Sequence, residues 1–190
     1  MKTLKTIALS LFITTCISAT AVAQKAKKID VKKSKIEWVG KKLTSSHSGT
    51  LDFKEGNLVI NGKKVVGGQF VVDMTTINTT DIQGKGKEKL DAHLKNDDFF
   101  GVEKFPTASL SFKSIGYTDN PDVYIITADL TIKDITNPVE FELKTNSKGA
   151  SAKVVVDRTL YDIKYASSGM GVIADKAISD EFELNVALLF

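Results

Sequence analysis

The sequence predicts an all-β fold of eight or nine antiparallel strands, interrupted by one helical insertion. Apolar residues alternate with polar residues along most of the chain, which is the period of strands that bury one face. Turn-forming residues lie between these segments, and the short spacing between segments implies antiparallel neighbours. The exception is the stretch from Thr79 to Phe105, which has no strand pattern and contains good helix formers.

The clearest strand segments each place their apolar residues on one face. In chain order, these faces consist of Ile36 and Trp38; Phe70, Val72 and Met74; Ala108, Leu110 and Phe112; Tyr124, Ile126, Ala128, Leu130 and Ile132; Val139, Phe141 and Leu143; and Phe182, Leu184, Val186, Leu188 and Phe190. No member of these faces is charged. One apolar and one polar face per strand predicts a barrel or a sandwich. The lack of alternating strands and helices argues against a Rossmann-type sheet.

Weaker segments complete the predicted set of strands. They are Gly49–Phe53, Asn57–Ile60 and Lys153–Arg158. Clusters of glycine, proline, asparagine and aspartate predict the turns. These turns are Asn61-Gly62, Asp119–Asp122, Thr136–Pro138 and Asn146–Gly149.

The helical insertion is predicted around residues 85–100. Lys85–Leu94 contains good helix formers, and Leu90 and Leu94 are four residues apart, so they face one side of a helix. After the helix, Asp97 or Asp98 can accept backbone N–H bonds and form a cap or turn. This pattern of residues therefore predicts one helix inserted into an otherwise all-β domain.

The N-terminal residues 1–23 have the pattern of a secretory signal peptide. Lys2 and Lys5 precede an apolar run from Ile7 to Ile17, and Ala21-Val22-Ala23 forms a cleavage site of small residues. The apolar run is short for a membrane span, and no second long run follows. We therefore expect cleavage near Ala23 and a periplasmic or secreted mature chain that does not span a membrane.

The only cysteine, Cys16, lies within this predicted signal peptide. An alternative is a lipoprotein in which Cys16 becomes a lipid-anchored first residue. The preceding Ile13-Thr14-Thr15 lacks the small residue expected beside a lipidated cysteine. Without lipidation the mature chain has no cysteine, which excludes disulfides, thiol catalysis and thiolate metal sites.

Residues 24–190 have a length that suits a single domain with a sizeable core. The whole chain has 26 basic and 23 acidic residues. Lys2 and Lys5 leave with the signal peptide, so 24 basic residues remain against 23 acidic ones. This near balance gives no support for nucleic-acid binding. Residues 24–35 are rich in lysine, and we expect them to form a flexible lead-in.

The segment His93–Ser114, HLKNDDFFGVEKFPTASLSFKS, resembles the D-x-H-L-x-S-x-D-F-F signature of the YceI-like family. This family is also called the polyisoprenoid-binding or base-induced periplasmic family. Four flanking segments are similar to the family as well, including a late strand. They are His47–Phe53, Met74–Asp81, Ala128–Leu143 and Val156–Tyr165. Asn96 stands where serine is common, and Gly101 where aspartate is common, so these two positions depart from the pattern.

The resemblance implies a lipocalin-like antiparallel β-barrel of about eight strands, with a helix near one end. It also implies a long apolar cavity that holds an isoprenoid chain, such as a polyprenyl lipid or a quinone tail, without catalysis and without a cofactor. The family type also allows a homodimer. The residues expected to contact the ligand are Phe70, Val72, Phe99, Phe100, Leu110, Phe112, Ile126, Leu130, Phe141, Leu143, Phe182 and Leu184.

Two alternatives to lipid binding follow from the residues themselves. Asp91, His93 and His47 could form a metal-dependent or lipid-modifying active site if the fold brings them together. Against this, Asp91 and His93 are two residues apart and would splay on a helix. The second alternative is a structural barrel whose interior is completely filled by its own side chains.

Residues of the insertion also allow more than one role. Phe99 and Phe100 could line an end of the cavity or anchor the helix on the core. Lys85, Lys87 and Lys89 could meet an anionic headgroup or simply form a solvated helix start.

Overall fold

The computed structural model describes residues 24–167 and 177–190. The predicted signal peptide, residues 1–23, lies outside the described residues. The strands are β1 (Lys25–Lys28), β2 (Lys35–Lys42), β3 (Ser46–Asn61), β4 (Lys64–Thr79), β5 (Thr107–Tyr117), β6 (Val123–Ile132), β7 (Ile135–Thr145), β8 (Gly149–Asp157) and β9 (Ile178–Leu189). The helix α1 (Gly84–Lys95) lies between β4 and β5, and a 3₁₀ helix (Arg158–Tyr161) follows β8.

Strands β2 to β9 close into an eight-stranded antiparallel barrel, which confirms the predicted fold class. Each strand pairs with the next one in sequence, and β9 returns to pair with β2, where Ile36 lies opposite Val186. Because closure removes free edges, alternate residues of every strand face one shared interior. Strand β1 lies outside the barrel and pairs only with the distal half of β3.

The two ends of the barrel are closed by different elements. At the upper end, α1 and the 3₁₀ helix cover the opening, and Leu94 and Tyr161 are buried there. At the lower end, the long β3–β4 hairpin buries Leu58 and Val65. The backbone N–H of Val65 donates to the Tyr124 hydroxyl at 3.5 Å. The core therefore continues from the barrel interior to both ends.

The predicted insertion is confirmed, with α1 beginning and ending one residue beyond Lys85–Leu94. The turn after it is closed differently from the prediction. The carbonyl oxygen of Asn96 accepts the N–H groups of Phe99 and Gly101 at 3.0 and 2.8 Å. Asp97 instead pairs with Lys104 at 2.5 Å. A backbone carbonyl, and not Asp97 or Asp98, therefore caps this turn.

The prediction of a flexible lead-in at residues 24–35 is wrong. Its β1 strand pairs with residues 57–60 of β3, and Lys27 places its ammonium 4.2 Å from the ring centroid of Phe190. Further along, the hydroxyl of Ser34 accepts the N–H of Leu189 at 3.0 Å. The prediction failed because lysine stems can pack on an apolar surface while their charged ends stay in water.

The turn predicted at residues 136–138 is also wrong. The chain reverses at Lys133 and Asp134, which both adopt positive φ angles of 52° and 59°, as a tight two-residue hairpin turn requires. Pro138 lies inside β7, opposite Asp129 of β6. It is tolerated because the β7–β8 ladder includes only residues 143–145 of β7, which leaves one side of β7 free of pairing at Pro138.

Trp38 is accommodated by a glycine on the neighbouring strand. Gly49 lies directly opposite Trp38 in the β2–β3 ladder. A Cβ atom on Gly49 would lie 2.0 Å from the carbonyl oxygen of Asn78 and 2.6 Å from the Trp38 ring. No side chain fits between these groups, so the position of the indole depends on the glycine.

Replacing Gly49 with alanine should therefore destabilise the fold. Overpacking of this kind costs roughly 1–3 kcal/mol in the free energy of unfolding. Gly40→Ala is the matched control, because a Cβ atom on Gly40 meets nothing within 4 Å. Urea unfolding of the mature protein measures both changes. Equal stability of the Gly49 and Gly40 variants would contradict this packing.

Candidate ligand-binding cavity

The barrel interior contains an apolar cavity with a volume of about 80 Å³. It is lined by Ile36, Phe53, Phe70, Val72, Ala108, Ser109, Leu110, Phe112, Leu130, Phe141, Leu143, Ala152, Val154, Leu184, Val186 and Leu188. No charged residue is present in this lining, and Ser109 contributes no polar surface to it. Val72, Leu110 and Leu184 line the cavity and are partly buried side chains packed against the core.

The cavity is small for a ligand-binding site. An engineered cavity of about 150 Å³ is sufficient to hold benzene in another protein. The cavity here is smaller, at about 80 Å³. The interior is therefore neither completely filled nor wide open, and a chain-like ligand would need the lining side chains to move apart.

Most residues predicted to contact the ligand do line this cavity. They are Phe70, Val72, Leu110, Phe112, Leu130, Phe141, Leu143 and Leu184. Ile126 is fully buried but does not line it. Sequence reasoning missed Phe53 and Val154 as lining residues, although both are apolar members of the weaker strand segments. Ligand contact by all of these residues stays a prediction.

A second apolar chamber of about 60 Å³ lies at the upper end, beneath α1. Phe99, Phe100 and Phe182, three more of the predicted residues, line it. The Phe99 and Phe100 ring centroids are 5.1 Å apart in an edge-to-face arrangement. The ring centroids of Phe100 and Phe182 are 6.3 Å apart. Leu184 lines both this upper chamber and the main cavity, so the two spaces are adjacent. The two phenylalanines both anchor the insertion and line its chamber.

Arg158 is a buried cation at the edge of the upper chamber, with only 2% of its surface exposed. Its guanidinium donates to the backbone carbonyls of Ser179, Ile163 and Ile178 at 2.9, 2.7 and 3.0 Å. Burial lowers the pKa of Arg158, and Asp180 acts in the opposite direction. The group stays charged at neutral pH, and its bonds fix the segment after β8 to the start of β9.

The prediction of a strand over residues 156–165 is wrong. Strand β8 ends at Asp157, whose carboxylate accepts the N–H and the hydroxyl of Thr159 at 2.9 and 2.6 Å. This local bonding competes with the sheet ladder and starts the 3₁₀ helix. Sequence reasoning missed the role of Arg158, because its carbonyl partners include residues about twenty positions further along the chain.

Helix α1 is fixed to the barrel by Asp91. Its carboxylate accepts the backbone N–H of Thr79 at 2.8 Å and pairs with Lys87, which also donates to Asn78 at 2.7 Å. Burial raises the pKa of Asp91, but the bonds from Lys87 and Thr79 outweigh burial, and the pKa lies below its usual range. Asp91 and Lys87 therefore have a structural role at the junction of β4 and α1.

The three residues of the alternative active site do not form one cluster. His47 bonds to Asp81 through Nδ1 at 2.9 Å. His93 packs between the rings of Phe99 and Tyr165, with centroid distances of 5.4 and 4.5 Å, while Asp91 bonds to β4. Within residues 24–167 and 177–190, no group of three or more His, Cys, Asp or Glu side chains could hold a metal ion.

Comparison with known proteins identifies the family. The profile of the YceI-like domain matches residues 28–190, which is most of the chain. The chain belongs to the YceI-like family. Two named relatives support this membership. A UPF0312 protein of Shewanella denitrificans is 33% identical over 95 residues, which cover 50% of this chain and 47% of that protein.

The second relative is the protein YceI of Escherichia coli O157:H7, which is 38% identical over 74 residues. The aligned part covers 39% of this chain and 37% of that protein. This YceI-like chain thus matches less than half the length of either relative.

Solved structures share the YceI-like fold. Burkholderia cenocepacia BcnA superposes with a TM-score of 0.67 at 18% identity, over 85% of this chain and 99% of that one. A Campylobacter jejuni YceI protein gives a TM-score of 0.54 at 19% identity, over 71% and 80% of the two chains. At these identities the likeness establishes the barrel alone. Among the described residues, no helix has the length and apolar character needed to cross a membrane.

We expect Tyr161 to make the stability of the YceI-like barrel depend on alkaline pH. Burial, together with the charge of Asp157, raises the pKa of Tyr161 to about 12, against about 10 in an unfolded chain. The stability linked to this group is therefore fully present below pH 10 and lost as the pH rises through about 12. The loss amounts to roughly 2–3 kcal/mol for a shift of this size.

Tyr161→Phe should remove this pH-dependent loss. The Tyr161 hydroxyl is buried without a hydrogen-bond partner among the described residues, so the variant should unfold like the wild type near pH 7. Urea unfolding of both proteins at several pH values between about 7 and 12 measures the difference. If both proteins lose stability in parallel above pH 10, Tyr161 does not carry the effect.

Proposed function

We propose that this protein binds an isoprenoid lipid, either a polyprenyl chain or a quinone tail, in the barrel cavity. The observation that carries the proposal is the uncharged, apolar lining of the main cavity and its adjacency to a second apolar chamber. A prenyl tail is slender, apolar and long, and an eight-stranded barrel can hold one such ligand.

The hydrophobic effect supplies the affinity in this proposal. Each CH₂-sized unit that leaves water contributes roughly 0.8 kcal/mol. A tail with many such units therefore binds without any hydrogen bond to the wall. A polar or charged ligand would lose its hydration in the same cavity and gain no partner there, since the lining has no charged side chain.

Entry of the tail requires the cavity to widen, because its volume is about 80 Å³. Leu110, Phe112 and Leu184 line the cavity and are only partly buried, so we expect these side chains to move. In this proposal the side chains rotate to admit the tail and the strands stay in place, since rotamer changes are fast compared with backbone rearrangement. The bound tail then occupies space that these side chains leave.

We further propose that the protein works in the periplasm or outside the cell as a non-enzymatic carrier or store of this lipid. The signal-peptide pattern of residues 1–23 supports export. The described residues bring no catalytic cluster together at the cavity, where the lining is apolar. Transport, storage and protection during stress are the roles that a lipid held in this way can serve.

Native mass spectrometry and lipid extraction test this proposal. Mature protein purified from cells, and stripped protein exposed to a polyprenyl alcohol or a prenylated quinone, should each carry one apolar ligand. If neither preparation contains an apolar ligand, the proposed function is wrong.

Filling the cavity should weaken binding while leaving the fold intact. Ala152 lines the main cavity, so Ala152→Phe adds a ring where the tail would lie, and we expect affinity to fall by at least about tenfold. Val155→Phe is the control on the same strand, because Val155 is 45% exposed and does not line the cavity. Fluorescence titration with a prenylated quinone measures both. Equal binding by the two variants would place the ligand elsewhere.

A further inference from the structure

We propose that the lysine-rich segment at residues 24–35 docks the protein on an anionic lipid surface. This segment contains strand β1 and the turn that follows it. It lies beside the β3–β4 hairpin at the lower end of the barrel, because β1 pairs with residues 57–60 of β3. The inference goes beyond the proposed function, since docking needs only this surface and no ligand in the cavity.

The charge of the segment is opposite to that of the remaining barrel. Residues 24–35 contain six lysines and one acidic residue, Asp30, so their net charge is +5. Of the 26 basic residues of the chain, two lie in the predicted signal peptide and six in this segment. Residues 36–190 therefore keep 18 basic residues against 22 acidic ones, a net charge of −4. A basic segment on an acidic body directs one side of the protein towards a negatively charged partner.

Most of these lysines are available to a partner. All six are exposed. Among the described residues, only Lys33 has a carboxylate partner, which is Asp30 at 2.9 Å. Asp30 also accepts the backbone N–H of Lys32 at 3.1 Å, so the one acid of the segment is already engaged. Lys27 lies over the ring of Phe190, and the other lysines keep ammonium groups that can bind anionic headgroups.

Backbone hydrogen bonds hold the segment on the barrel. The N–H of Ile29 donates to the carbonyl of Gly56 at 3.0 Å, and the N–H of Asp30 donates to the carbonyl of Leu189 at 2.7 Å. The carbonyl oxygen of Asp30 accepts the N–H of Lys33 at 3.1 Å and closes the turn. Because the backbone is already ordered, binding through this segment costs less conformational entropy than binding through a disordered tail.

An exposed valine in the turn favours a lipid surface over other polyanions. Val31 is 37% exposed and lies between Lys28 and Lys32 in the sequence. An apolar side chain flanked by cations can enter the interface of a bilayer while the lysines meet the headgroups. The phosphate backbone of a nucleic acid offers no apolar layer for this valine.

The groove beside Val31 borders the ligand cavity. It has a volume of about 500 Å³, and its lining includes Val31 and Lys28. Glu55 is the only acidic residue of this lining. Phe70 and Leu110 line both the groove and the main cavity. Docking through the segment therefore places one wall of the cavity beside the lipid surface.

Protection of a strand edge explains only part of the lysine content. Strand β1 pairs with β3 alone, and lysines on an edge strand discourage pairing with another chain. This role suits the lysines of Lys25–Lys28. It does not explain Lys32 and Lys33, which lie in the turn after the strand. Docking on an anionic surface accounts for both groups.

Co-sedimentation with lipid vesicles tests the docking surface. The mature protein, without added ligand, is mixed with vesicles of phosphatidylcholine alone or of phosphatidylcholine with about one third phosphatidylglycerol. We expect at least about tenfold tighter binding to the anionic vesicles, because each lysine near such a surface contributes roughly fivefold. Raising the salt concentration from about 0.1 M to about 0.5 M should release the protein, since salt screens exposed charges.

Two matched triple variants locate the contact. The first removes three lysines that have no ion pair among the described residues, and it combines Lys25→Gln, Lys28→Gln and Lys32→Gln. Its binding to anionic vesicles should fall roughly tenfold to a hundredfold. The control removes the same charge from exposed lysines of β2 and α1, and it combines Lys42→Gln, Lys85→Gln and Lys89→Gln. Its binding should change by less than about threefold, because charges beyond a Debye length are screened.

Val31→Ser tests the apolar part of the contact. The variant keeps every lysine and removes an exposed apolar side chain. Binding to anionic vesicles should weaken several-fold, with the salt dependence unchanged.

The results decide docking separately from the proposed function. Equal binding to neutral and anionic vesicles, no binding to either, or an equal loss in the two triple variants would overturn the docking surface. Salt-sensitive binding to double-stranded DNA without binding to vesicles would assign the segment to a nucleic acid and overturn it as well. Vesicle docking by a protein that binds no prenylated quinone or polyprenyl alcohol would support docking and contradict only the proposed function.

Discussion

Closure of the antiparallel sheet into a barrel is the constraint on which the rest of the structure depends. Once β9 pairs with β2, alternate side chains of eight strands face one interior. All of these inward side chains are then removed from water. Any charge at an inward position would be buried without a partner. Closure therefore explains the uncharged lining of the cavity.

The upper end of the closed barrel has to be covered. A barrel open at one end exposes its apolar interior, and the elements that cover it carry backbone groups that need partners. Arg158 satisfies carbonyls of the segment after β8 and of β9, and Asp91 holds α1 to the end of β4. These polar contacts position Phe99 and Phe100 over the interior, and the lining of the main cavity contains no charged residue. The structural bonds and the upper chamber thus lie at the same end of the fold.

The sequence predicted the parts of this structure that depend on local pattern. The strand alternation, the helix near Lys85–Leu94 and most of the cavity lining are examples. It did not predict which inward residues border space, because the shape of a cavity depends on side chains from distant strands. Ile126 and Leu130 show this, since they share a face of β6 and only Leu130 lines the cavity. The role of Arg158 in bonding backbone carbonyls was not predicted either, because its partners are distant in sequence.

The central claim is that the interior of this YceI-like barrel encloses a prenyl tail. Isotope-edited NMR of the mature protein with a bound polyprenyl alcohol tests it most directly, through contacts between ligand protons and leucine methyl groups. The account predicts contacts to Leu110, Leu130 and Leu184, which line the cavity. Contacts confined to Leu43 and Leu160, which are 74% and 53% exposed, would contradict it.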